Sequence, residues 1–92
     1  MEMNEMENNE YMREIWDILY ATRFEIIKGK FRNSVYAETY ALNYADAYAL
    51  YGVEGLRTQI LYVQCNLTHW HGKKAKETKL QIIKAAEMLE LI

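Results

Sequence analysis

Apolar residues recur along the chain at steps of three and four, and no stretch alternates apolar with polar long enough to make a strand. The clearest run is Leu56, Ile60, Val63, Leu67 and Trp70, which predicts one face of a helix from about Glu54 to His69 or Trp70. Tyr11, Ile15, Ile18, Leu19, Thr22 and Ile26 predict another, running from an Asn9 cap to Lys28. Met12, Trp16, Tyr20 and Ile27 widen its apolar side to about half the circumference. Arg23 falls on that side, which calls for snorkelling or a carboxylate partner. A last helix is predicted from about Lys74 to the end, on Ala75, Ile82, Ala86 and Leu89, with Ile83 at the edge.

The segment from about Ser34 to Tyr51, capped by Asn33 or Ser34, repeats a four-residue unit that begins Tyr36-Ala37, Tyr40-Ala41, Tyr44-Ala45 and Tyr48-Ala49. In a helix a four-residue step drifts by only about 40°, so the tyrosines predict one winding stripe and the alanines a second beside it. There is no proline, and Gly29, Gly52 and Gly72 fall where the helical patterns stop. The expected fold is all-α: a small antiparallel bundle of about four helices with short loops, or three helices with a docked fourth. An acidic segment, residues 1–8, precedes one helical domain, residues 9–92.

Ninety-two residues, 51% apolar and 13% aromatic, are too apolar for a disordered tail and too few for two domains. The net charge of −2 argues against a protein that coats nucleic acid. That charge is unevenly spread. Residues 1–10 hold four glutamates and no base, whereas residues 73–92 hold five lysines and three glutamates. A single cysteine, Cys65, makes no internal disulfide and favours a reducing compartment. No apolar run is long enough to span a membrane, and the acidic start does not resemble a secretory signal. The expected location is the cytoplasm.

Two surfaces carry the candidate chemistry. Tyr36, Tyr40, Tyr44, Tyr48 and Tyr51 form the candidate protein-binding face, because tyrosine supplies large area at low entropy cost and is enriched in binding hot spots. Tyr44, mid-row, is its expected centre. The competing reading packs this helix internally. Together with the broad face of the first helix, it also predicts a homodimer or higher oligomer. The second surface surrounds one turn: His69, His71, Lys73, Lys74, Lys76 and Lys79. Lysines opening a helix attract anions, so a phosphate or nucleotide, a nucleic-acid backbone or an acidic protein surface could dock there, a nucleic acid or nucleotide being the alternative partner; the competing reading is a solubilising turn. Lys28, Lys30 and Arg32 would extend this patch if the fold brought them near.

Catalytic and metal readings are poor. Cys65 and His69 share a helical face but lack further ligands and an orienting acid. Gly72-Lys73-Lys74 lacks the glycine spacing of a phosphate loop. The sequence therefore predicts no enzyme, no metal and no cofactor.

Gly55-Leu56-Arg57-Thr58-Gln59-Ile60-Leu61-Tyr62-Val63, followed by Asn66-Leu67, Trp70, Gly72 and Ala75-Lys76-Glu77, resembles a run in small helical proteins of bacterial phages and mobile elements. The resemblance covers residues 52–84 and brings no catalytic residues with it. It implies a compact accessory protein that inhibits or redirects a host machine, defence systems such as CRISPR–Cas among them.

Overall fold

The computed structural model describes the backbone from Glu5 to Ile92 and side chains from Asn9 onward. Residues 1–4 of the acidic segment lie outside the described residues. Four helices follow in chain order: α1 (Glu5–Lys28), α2 (Ser34–Leu42), α3 (Tyr44–Cys65) and α4 (Lys73–Glu90). Each packs on the next, and α4 closes the ring against α1. The α1–α4 pair is antiparallel. Tyr11 Oη donates to the Met88 carbonyl at 2.6 Å near one end. Lys84 meets Glu14 at 3.4 Å further along, and Lys74 meets Glu25 at 3.9 Å near the other end. The all-α bundle read from the periodicity is the fold observed.

Its boundaries differ from the expectation in four places. Asn9 caps nothing: it lies inside α1, which is already helical at Glu5. The backbone is already helical ahead of Asn9, so the N–H groups that follow it have partners one turn back and need no cap. The predicted helix over residues 34–51 is broken. Asn43 leaves helical geometry at φ −104°, ψ 14°, and its side-chain amide donates to the Thr39 carbonyl at 2.8 Å. That bond offers the backbone an alternative to continuing the helix. Gly52 does not end a helix but bends one. At φ 69°, ψ −150° it kinks α3 into two arms, residues 44–51 and 53–65. At the far end α3 stops at Cys65, before His69 and Trp70. Leu67 and Trp70 nevertheless stay in the core. Tight turns, Leu67 N–H to Gln64 and Trp70 N–H to Leu67, carry the threefold-to-fourfold spacing past the helix end.

The core stripe Leu56, Ile60, Val63, Leu67 and Trp70 is buried throughout, against Ile15, Leu19 and Ile26 of α1 and Ile82 and Leu89 of α4. Thr22, also buried, gives its hydroxyl proton to the Ile18 carbonyl at 2.7 Å. The α4 stripe is Ala75, Thr78, Ile82, Ala85 and Leu89. Ala85 takes the position expected of Ala86, which is only half-buried.

Candidate binding surfaces

The break at Asn43 and the bend at Gly52 scatter the tyrosine row. Tyr44 is fully buried, so the residue expected at the centre of an interface is core instead. Burial pushes its phenol pKa well above the ordinary value, and the charge of Arg23 offsets only part of that rise. Arg23 itself lies 4.6 Å above the Tyr20 ring, a cation–π contact in place of the expected carboxylate. Tyr48 sits edge-on to Trp16 at 5.5 Å, and Trp16 stacks on Tyr20 at 5.6 Å. Tyr36 is 61% exposed on α2. The alanine stripe divides as well: Ala37 and Ala41 are buried, whereas Ala45 and Ala49 are exposed.

Tyr40 and Tyr51 do converge, and Tyr62 joins them. They line a groove of about 560 Å³ between α2 and the two arms of α3, with Leu50, Ala47 and Gly55. Tyr40 and Tyr62 lie 5.3 Å apart, and Gln59 fixes the rim of the groove by donating to the Tyr40 carbonyl at 2.9 Å. Leu50 and Tyr51 are 71% and 73% exposed and line the same groove, which gathers their apolar surface in one place. Asp46 and Glu54 stand on the rim. Tyr62 was invisible as a site residue in sequence because it belongs to the core-stripe helix. Only the hairpin bend at Gly52 turns its outer face towards α2.

The basic turn is assembled at the other candidate site. His71, Lys73, Lys76 and Lys79 line a hollow of about 570 Å³ together with Trp70 and Leu80. Lys79 Nζ donates to the Trp70 carbonyl at 2.6 Å, which ties α4 to the turn. Lys74 faces away from the hollow, towards Glu25. His69 is exposed in the loop and does not line the hollow. Because α3 ends at Cys65, His69 and Cys65 do not share a helical face, which removes the geometry of that pair. Among the described residues no group of three His, Cys, Asp or Glu gathers as metal ligands. No helix of the described residues is long and apolar enough to cross a membrane.

The first loop, residues 29–33, reaches this turn. Phe31 stacks on the Trp70 indole with centroids 4.9 Å apart and planes 13° from parallel. Gly29 lies so close to the same indole that an added Cβ would meet it at 3.0 Å. Lys30 and Arg32 flank Phe31, as His69 and His71 flank Trp70. The stack thus joins the two basic loops at one end of the bundle.

Comparison of the chain with protein-family models, curated proteins and solved structures finds no significant match.

Proposed function

We propose that this chain is a non-enzymatic protein-binding module whose α2–α3 groove takes an amphipathic helix with basic flanks. The observation that carries this reading is the convergence of Tyr40, Leu50, Tyr51 and Tyr62 in one open groove. Aromatic and leucine side chains in a concave site supply the apolar anchor that a helix-in-groove complex needs. The carboxylate of Asp46, with no ion pair among the described residues, favours lysine or arginine on the incoming helix, whereas Glu54 is already paired with Arg57. Arg57 already binds Glu54 and donates to the Leu89 carbonyl at 2.8 Å, so it is drawn towards α4. The sequence resemblance to phage accessory proteins makes a host protein the natural source of such a helix.

The test uses a labelled peptide with leucine at helical spacing and lysine on its flanks. Fluorescence anisotropy is expected to show binding that Tyr51→Ala with Tyr62→Ala weakens at least about tenfold, the scale of a hot-spot loss. A matched peptide with glutamate flanks is expected to bind more weakly. Equal binding of both peptides, or an unchanged affinity in the folded double variant, overturns the reading. So does sedimentation of the chain alone as a dimer that Tyr51→Asp dissociates, because the occupant is then a second copy.

A further inference from the structure

The α1–α2 loop region supplies Lys28, Lys30 and Arg32 to one end of the bundle, and α4 opens there with Lys73, Lys74, Lys76 and Lys79. The other bases of the chain, Arg13, Arg23, Arg57 and Lys84, lie elsewhere. The acids placed against this end are Glu25 and Glu77, and Glu25 is engaged by Lys28 at 3.2 Å and by Lys74 at 3.9 Å. Lys79 is held by the Trp70 carbonyl. That leaves Lys30, Arg32, Lys73 and Lys76 exposed and with no ion pair among the described residues, Lys30 making only a long bond of 3.5 Å to the Ile27 carbonyl. Helix dipoles do not decide the field here. Two helices start and two end at this side of the antiparallel bundle, so their termini largely cancel and the side chains dominate.

We propose that this basic end holds the phosphate backbone of a nucleic acid, independently of sequence. Three features favour phosphates over an acidic protein. The cations are mostly lysines, which bind phosphate as point charges without demanding one paired geometry. They come from the first loop and from the start of α4, which the Phe31–Trp70 stack holds at the same end, so they form a broad patch and not one flexible tail. Trp70 is only 8% exposed, so the hollow itself presents no exposed aromatic anchor of the kind protein interfaces use. The overall charge of −2 speaks against coating a nucleic acid over the whole surface but leaves this local patch free to act, because exposed charges beyond about 10 Å are largely screened at 0.1 M salt.

The experiment is anisotropy of the full chain with a fluorescein-labelled duplex of about twenty base pairs, between 50 and 200 mM salt. Four phosphate contacts predict a slope of log affinity on log salt of about −3.6, a loss of roughly a hundredfold across that range. Lys73→Glu with Lys76→Glu is expected to weaken binding at least about tenfold and to halve the slope. Acids at these positions suit a helix start, so the variant should fold; circular dichroism checks this, and the glutamine pair is the milder substitute. Lys84→Glu and Tyr51→Ala are expected to leave duplex affinity unchanged, which separates this site from the α2–α3 groove. A second duplex of unrelated sequence should bind equally. No binding at 50 mM salt, equal weakening by Lys84→Glu, or poly-glutamate bound as tightly as the duplex overturns the proposal.

Discussion

Tyr44 carries a phenol hydroxyl into the core, where it finds no hydrogen-bond partner among the described residues. An unpaired buried hydroxyl costs about 1–3 kcal/mol, whereas the ring around it contributes as a large buried aromatic does. Tyr44→Phe is therefore expected to be neutral or stabilising, and Tyr44→Ala to lose about 3–5 kcal/mol. Urea denaturation distinguishes the two. A clear destabilisation by Tyr44→Phe would mean that the hydroxyl has a partner. The raised pKa gives the same residue an alkaline signature. Above about pH 10 the unfolded chain sheds this proton while the folded one keeps it, so the unfolded state binds fewer protons and stability falls as pH rises. The contribution is fully present below pH 10 and falls by up to about 1.4 kcal/mol per pH unit above it. Tyr44→Phe should lose this part of the dependence, measured as the difference between the two proteins' stability curves from pH 9 to 11. Parallel curves would refute it.

At the scale of elements, α3 depends on two glycines for different reasons. Gly52 is open on its Cβ side, but its φ of 69° with ψ −150° belongs to a region that only glycine occupies readily. Gly55 has ordinary helical geometry and no space. A Cβ there would run into the Ala47 carbonyl oxygen and stand 2.7 Å from Tyr51 Cβ, because the bend folds one arm of α3 onto the other. Alanine at either position is expected to destabilise by about 1–3 kcal/mol, by backbone strain at Gly52 and by overpacking at Gly55. Chemical denaturation of each single variant checks this. A loss under about 0.5 kcal/mol, the range of neutral surface changes, would show that the bend does not need that glycine. Gly55→Ala should also weaken the peptide in the α2–α3 groove, since both Gly55 and Tyr51 line it.

The same elements show what the sequence made legible. The stripe from Leu56 to Trp70 was readable because five bulky apolar side chains keep one phase, and burial keeps that phase even past the helix end at Cys65. The break at Asn43 was not readable. The Tyr-Ala repeat runs through it without glycine or proline, and the bond from Asn43 to Thr39 exists only once the chain has turned. One phase shift there put Tyr44 in the core, left Tyr51 outside, and dissolved the five-residue stripe. The basic turn was visible in composition, but its union with Lys30 and Arg32 was not, because a stack between residues 31 and 70 leaves no local trace.

That union is a property of the whole molecule, and one aromatic side chain tests it. Phe31→Ala changes no charge. It removes the ring that pins the first loop on Trp70, leaving Lys30 and Arg32 on a loop with fewer contacts. The ring is half-buried, so the expected stability loss is about 1–3 kcal/mol, less than for a fully buried aromatic. If the first loop and the start of α4 act as one phosphate-binding surface, ordering the freed loop on the duplex now costs backbone entropy at several residues. The affinity should drop, and the salt slope should shrink by about two contacts' worth, although the charge of the protein is the same. Lys30→Gln with Arg32→Gln should shrink the slope by the same amount while leaving folding stability within about 0.5 kcal/mol of the parent. Matching slopes from a variant that keeps every charge and one that removes two would show that the stack, and not charge alone, builds the surface. A folded Phe31→Ala protein with the parent's slope would show instead that the α4 lysines bind phosphate without the first loop.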